Sequence, residues 1–235
     1  MTDVVDALLA RVRRRGPQPL LTYYDLDRQE RTELSAVSFA NWVDKTCHLL
    51  DGLGLAPGDG LAVPVVTERA GHWVGLIAVM AGWQLGAHVT SEPGAGIEVA
   101  IVGPGHPWAV VPPGGLSVVA CSLHPLGLPL RPPAPVIDFA EVLAEPDAPL
   151  RHPHLADDPA WEEWTYGALA AVEPQPGRVL VRAPDARLAV VAGLVAPLLG
   201  GGSAVVVTGA GDVARTAADE RVDVQKPDPD ATTLG

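Results

Sequence analysis

The sequence predicts an α/β protein, with a layered, mostly parallel sheet flanked by helices. Three observations predict it. Apolar runs of strand length, among them Leu61–Val66, Arg178–Arg182 and Ser203–Thr208, alternate with helical patterns. Within these runs consecutive positions are apolar, as in strands covered on both faces. The helical pattern from Trp73 to Leu85 is apolar nearly all round, so other elements must cover it on several sides. Together they favour parallel strands joined by right-handed helical crossovers.

Composition agrees. Of 235 residues, 48% are apolar and 19% charged, which suits a globular chain with a sizeable core. A formal charge of −12 excludes a general nucleic-acid binder, which needs clustered Lys and Arg for phosphate contacts. The one basic cluster, Arg11, Arg13, Arg14 and Arg15, ends a helical pattern and there complements the helix dipole. Cys47 and Cys121 are too few for a disulfide framework, and no apolar leader opens the chain, so the expected setting is reduced and cytoplasmic. Leu188–Val207 is uncharged and twenty residues long, the length of a membrane span. Pro197, the Gly200–Gly202 run and the β-branched end instead read as buried helix, turn and buried strand, and no membrane partner is expected.

In order, residues 3–14 carry Val4, Val5, Leu8, Leu9 and Val12 at helical spacing, and Gly16-Pro17 stops the pattern. Leu20–Tyr24 and Thr32–Val37 flank a polar DLDRQE segment and read as a hairpin. Ser38 is the expected N-cap of a helix to about Leu53, with Asp44, Lys45 and Asp51 facing water. Pro57-Gly58-Asp59 turns into the strand Leu61–Val66, Glu68 and Arg69 open the apolar helix, and His88–Thr90 is a strand. Gly96–Val102, Ala109–Val111 and Ser117–Cys121 are further strand candidates between Pro-Gly turns. Residues 124–135 hold five prolines, too many for regular structure, and Val136–Leu143 reads as strand or helix. The acidic stretch Glu145–Trp164 reads as a surface connection, which divides the domain 1–225 into lobes of about 1–145 and 160–225. Thr165–Val172 is a short helix, Arg178–Arg182 a strand, Asp185–Leu199 a buried helix, Ser203–Thr208 a buried strand and Asp212–Glu220 an amphipathic helix. Residues 226–235 are expected to be a flexible tail.

Leu34–Thr90 resembles the N-terminal lobe of the adenylate-forming superfamily, which comprises acyl-CoA synthetases, luciferases and peptide-synthetase adenylation domains. The matching residues are Pro57-Gly58-Asp59, the strand Leu61–Pro64, Ala81-Gly82 and Gly86-Ala87. Ala196–Ser203 with Val205–Val207, continued by Glu220–Asp223, resembles the family's helix–glycine–strand unit. The resemblance implies a Thr/Ser/Gly-rich loop ending in Pro-Lys between these regions, wrapping ATP phosphates with backbone amides and a cation. The corresponding interval, Leu155–Val181, has no such run, no lysine, and four acidic residues beside Trp164-Thr165-Tyr166. Like charge there repels a triphosphate. The resemblance also implies a catalytic lysine on a mobile C-terminal domain, whereas the only lysines here are Lys45 and Lys226. The expectation is a protein of this fold that does not adenylate by itself, with no catalytic residue, no cofactor and no metal. It is expected to bind an acyl, aryl or nucleotide-like ligand or to act as a regulatory partner. The alternative is an acyl-activating enzyme completed by a second polypeptide. Apolar surface that the family covers with its remaining domains points to a homodimer.

The candidate ligand-binding residues are His72, Trp73, Gly209 and Gly211. His72 and Trp73 open the buried helix beside the end of the Leu61–Val66 strand, the edge where ligands lie in open α/β sheets. Packing alone also accounts for Trp73. Gly209-Ala210-Gly211-Asp212-Val213-Ala214 fits the dinucleotide pattern G-x-G-x-x-A, although Asp212 would face the pyrophosphate and a tight strand-to-helix turn is the better explanation of the glycines. His152 and His154 invite a metal reading, but two positions apart beside prolines they suggest an exposed loop. Cys121 and His124 lack an orienting acid, which leaves a strand end followed by a turn.

Overall fold

Two sheets with helices packed between them organise the computed structural model, which describes residues 3–226. The five-stranded sheet runs β12 (Val224–Lys226), β10 (Arg178–Arg182), β11 (Ser203–Thr208), β1 (Pro19–Asp25), β2 (Glu30–Ser35). The seven-stranded sheet runs β7 (Ile137–Asp138), β6 (Ser117–Ala120), β5 (Ile97–Val102), β3 (Gly60–Ala62), β4 (His88–Thr90), β8 (Pro159–Trp161), β9 (Trp164–Thr165). Every pairing is parallel except the hairpins β1–β2 and β8–β9. This is the mixed, mostly parallel α/β architecture that the alternating pattern predicts.

Sheet membership cuts across the acidic connection. Leu21 to Asp25 of β1 pair in register with Ala204 to Thr208 of β11, so both ends of the chain build one sheet. The connection is not merely surface chain either. Its residues 159–161 add β8 to the seven-stranded sheet, Val89 opposite Trp161. The acidic side chains hid this strand, because only Ala160 and Trp161 turn inward.

Helix α1 (Val4–Arg15) buries Val4, Val5 and Leu8 and is capped by Asp3, whose carboxylate accepts the Val5 N–H. The cap of helix α2 (Ala36–Gly52) lies three residues before the expected one. Ser35 is the N-cap and accepts the Ser38 N–H at 3.0 Å, because β2 runs directly into the helix. Asp44 and Lys45 do not face water as expected. Asp44 is buried and accepts from Gln84 Nε2 at 2.6 Å, and half-buried Lys45 donates to the Glu145 carbonyl. The strand expected through Val66 ends at Ala62. Pro64 cannot donate to a ladder and instead caps the short helix α3 (Val65–Glu68). Helix α4 (Trp73–Gln84) is buried on every residue, as its pattern requires. Ala109–Val111 is not a strand. Pro107–Ala109 forms a 3₁₀ turn with Val110 and Val111 exposed, since prolines on both sides deny the segment a ladder. Val136–Leu143 supplies both alternatives, β7 and then a 3₁₀ helix from Phe139.

After α5 (Tyr166–Ala170) and β10, the apolar stretch forms α6 (Ala186–Val190), a π-turn over Val191–Val195 and α7 (Ala196–Gly200). Pro197 cannot donate to the Gly193 carbonyl, and the wider turn absorbs that missing bond. No described helix is long and apolar enough to cross a membrane. Gly201 closes α7 at φ +69°. A Cβ on the next residue, Gly202, would lie 2.3 Å from the Gly177 carbonyl oxygen and 2.4 Å from that of Gln175. The backbone of residues 175–177 cannot readily yield, so Gly202→Ala should cost about 2–3 kcal/mol. A thermal melt should show it as a fall of about 5–10 °C. Helix α8 (Val213–Asp219) precedes β12. The tail expected at 226–235 lies outside the described residues except for Lys226, which ends β12.

Candidate functional site

The carboxyl ends of β1, β10 and β11 face those of β4 and β8 across a cleft, the place where parallel sheets present ligand-binding loops. Two cavities lie in it, of about 360 Å³ and 330 Å³, and Thr67 borders both. A larger cavity of about 590 Å³ lies elsewhere, between α1, α5 and the 151–154 segment.

The first cavity is lined by Tyr23, Asp25, Arg69, Arg182 and Thr208, and its polar floor is an ion cluster. Arg69 Nη2 donates to Asp25 at 2.9 Å and to Glu30 at 2.5 Å, and Nη1 donates to the Leu123 carbonyl at 3.2 Å. The guanidinium thereby ties the β1–β2 hairpin to the loop after β6. Arg28 adds a second pair to Asp25 at 3.0 Å. Burial alone would raise the Asp25 pKa. Hydrogen bonds from Arg28 and the charge of Arg69 outweigh it and hold the carboxyl below its ordinary value. The Tyr23 hydroxyl sits 3.1 Å from Thr208 Oγ1, and burial raises its pKa. Both Arg28 and Arg69 are therefore already neutralised by carboxylates, and Asp27 and Glu68 add negative charge to the walls.

The second cavity borders the turn Glu162-Glu163 between β8 and β9, within the interval where the resemblance implies a phosphate loop. Every polar group of Glu162 is committed. Its N–H donates to the Val89 carbonyl at 3.0 Å, its carbonyl meets His88 Nε2 at 2.8 Å, and its carboxylate accepts the Ser91 N–H at 2.7 Å. Its φ of +49° is what lets one residue turn the chain so sharply. A turn this short, with the Glu162 amide spent and the exposed Glu163 carboxylate at its tip, is poorly suited to cradling phosphates.

The four predicted residues do not converge. Gly209 lines the first cavity, but a Cβ there would meet Asp27, whose Oδ1 accepts the Ala210 N–H at 2.9 Å. Asp27 thus fills the concavity of the glycine turn from the β1–β2 hairpin. Gly211 packs against Leu26, outside both cavities. His72 and Trp73 are 1% and 2% exposed and lie behind the cleft wall. His72 stands edge-on to Tyr23 with ring centres 5.1 Å apart, and Trp73 is edge-on to Trp42 at 5.1 Å. His152 and His154 point to separate carboxylates, Asp51 and Asp3, on α2 and before α1. Cys121 is buried, which pushes its thiol up to about 12, while His124 is exposed. Sequence reasoning missed Asp25, Thr67, Arg69 and Trp161 as cleft residues. A charged pair at the two ends of different predicted elements was the one available signal for Asp25 and Arg69.

Burial and the charge of Arg69 push the His72 pKa down to about 3, so the ring is neutral when folded. Between about 6.5 and about 3 the unfolded chain takes up a proton that the folded chain refuses, so stability falls as pH falls through that window. The slope is about 1.4 kcal/mol per pH unit for one proton. His72→Asn retains an acceptor for the Val74 N–H, and its urea-unfolding stability should depend on pH less steeply than the parent's from pH 6 to 4.

No family model matches the chain. A TIGR03089 family protein of Mycobacterium tuberculosis is 38% identical over 88 residues, 37% of this chain and 35% of that protein. The match thus spans about a third of that relative. Among solved structures, the anthranilate CoA ligase AuaEII in complex with anthranoyl-AMP superposes with a TM-score of 0.69 at 14% identity. It matches 95% of this chain and 49% of that one. The N-terminal domain of FACL13 from Mycobacterium tuberculosis gives 0.68 at 14% identity, over 96% of this chain and 62% of that one. Acetoacetyl-CoA synthetase from Streptomyces lividans gives 0.67 at 16%, over 88% and 38%. Over the length that it spans, the chain therefore has the fold of the adenylate-forming superfamily.

Proposed function

We propose that this chain is a non-catalytic binding protein that holds a small acyl- or aryl-bearing ligand in the cleft between its two sheets. The observation that carries the reading is the Glu162-Glu163 turn. It leaves a cavity where the fold's resemblance implies a phosphate loop, while removing the amides and the cation that such a loop contributes. Phosphoryl and adenylyl transfer need positive charge aimed at developing negative charge. In this cleft Arg28 and Arg69 are held by carboxylates and the turn is acidic, so that among the described residues the exposed Arg182 is the unpaired cation of the first cavity. The first cavity is mostly polar, whereas the second is mostly apolar with Trp161 and Trp164 on its wall, which favours an organic ligand there, and both cavities fall within the usual size range for one.

ATP–pyrophosphate exchange tests the non-catalytic half. With a broad panel of carboxylic acids the purified chain should exchange no label, and exchange with any acid would overturn the reading. The binding half is tested by thermal melts with acyl and aryl compounds. A ligand at a hundred times its Kd stabilises by about 2.7 kcal/mol, a shift easily seen. A panel without any shift counts against a ligand site.

A further inference from the structure

We infer that the Trp161–Trp164 end of the cleft is a recognition site for an organic cation of the ammonium type, currently filled by the chain's own Arg187. This rests on reading the cleft as a ligand site and names the chemistry of one end of it.

The geometry is that of a cation site with an internal occupant. The Arg187 guanidinium lies 5.1 Å from the centre of the Trp164 ring and 3.8 Å from the Glu163 carboxylate. The same carboxylate accepts the Trp164 Nε1–H at 3.2 Å, so ring and acid are fixed relative to one another around the positive charge. An aromatic face with a carboxylate at its rim is the arrangement that holds ammonium and guanidinium groups. Arg187 is a weak occupant. Its side chain and that of Glu163 are 66% and 71% exposed, and its one carboxylate contact is long.

Charge sets the sign of the ligand. Glu162, Glu163 and Asp185 face the cavity against one guanidinium, so an anion is repelled and a cation attracted. When a ligand cation displaces Arg187, that side chain moves into water and the negative charge of the cavity is fully available. Trp161 also borders the cavity beside the cation position. The ligand that suits this end of the cleft carries a compact cationic head.

Choline is a suitable probe, with 3,3-dimethylbutan-1-ol as its uncharged isostere and inorganic pyrophosphate as the anion. Titrations followed by calorimetry and tryptophan fluorescence would use the full chain, Arg187→Gln, Trp164→Leu and Glu163→Gln. Choline should bind at least tenfold more tightly than the neutral isostere, and pyrophosphate should not bind here. Arg187→Gln, by removing the internal competitor, should tighten choline about fivefold. Trp164→Leu and Glu163→Gln should each weaken it, with melting curves confirming that both fold. Binding seen only in Arg187→Gln also supports the inference, as a stronger form of the same competition. Equal affinity for choline and its isostere in both the parent and Arg187→Gln overturns it, as does loss of binding in Arg187→Gln. If acyl or aryl compounds stabilise the protein while no cation binds to any variant, the cation site falls and the cleft reading stands.

Discussion

Trp83→Ala should lower the free energy of unfolding by about 3–5 kcal/mol, the range for truncating a fully buried large aromatic residue. Trp83 is 0% exposed near the end of α4, and its indole N–H donates to the Ala160 carbonyl of β8 at 2.9 Å. Its own carbonyl and that of Ala87 accept from the Tyr166 hydroxyl of α5, at 3.3 and 2.9 Å. The truncation therefore leaves a cavity and also releases the strand that carries the Glu162-Glu163 turn. Trp83→Phe separates the two effects. It keeps most of the ring volume and orphans the Ala160 carbonyl, at about 1–3 kcal/mol. Urea unfolding with an unchanged m-value would assign the loss to the folded state. A loss below about 1 kcal/mol for Trp83→Ala would show that α4 and β8 are not packed through this residue.

Arg69→Met should cost about 3 kcal/mol, because it leaves Asp25 and Glu30 without the charge that holds them together. Asp25 is 4% exposed and keeps only Arg28, whose side chain is largely in water. The loss should be greatest near neutral pH. The Asp25 carboxyl is held below its ordinary value in the folded parent, so its ion pairs stabilise above the unfolded pKa and fade as pH falls through the folded one. In Arg69→Met that contribution is reduced, so the parent and the variant should converge on acidification. A variant as stable as the parent at pH 7 would mean that the methionine stem replaces the ion pair by packing, as buried pairs sometimes allow.

The architecture was legible because its signals were local and redundant. The stretch Trp73–Leu85, apolar nearly all round, could be nothing but a covered helix, and Ser203–Thr208 nothing but a buried strand. Where reading failed, one residue overruled a propensity. Pro64 ended β3, Pro107 and its neighbours kept Val110 and Val111 out of a ladder, and two inward residues made a strand of an acidic loop. The site was less legible for a different reason. His72 and Trp73 lie next to the correct strand end, but a helix start on a sheet edge turns some side chains into the cleft and others behind it, and periodicity does not say which. Asp25 at the end of β1 meets Arg69 just after α3, and Arg187 reaches Trp164 from a later helix. Such pairs exist only once the topology does.

The sheet shared by the two ends of the chain also fixes an order of events. Tyr23 and Thr208 touch across β1 and β11 although they lie 185 positions apart. At about 5–20 residues per second of synthesis, roughly 10–40 s separates the appearance of one from the appearance of the other. Throughout that interval the β1–β2 hairpin exists with its inner edge open and Leu21 and Tyr23 uncovered. Pairing between such distant segments is slow to nucleate even when both are present. On the ribosome, the hairpin is made long before the strand that completes its sheet, and the nascent chain must be kept from pairing that edge with a neighbour in the meantime.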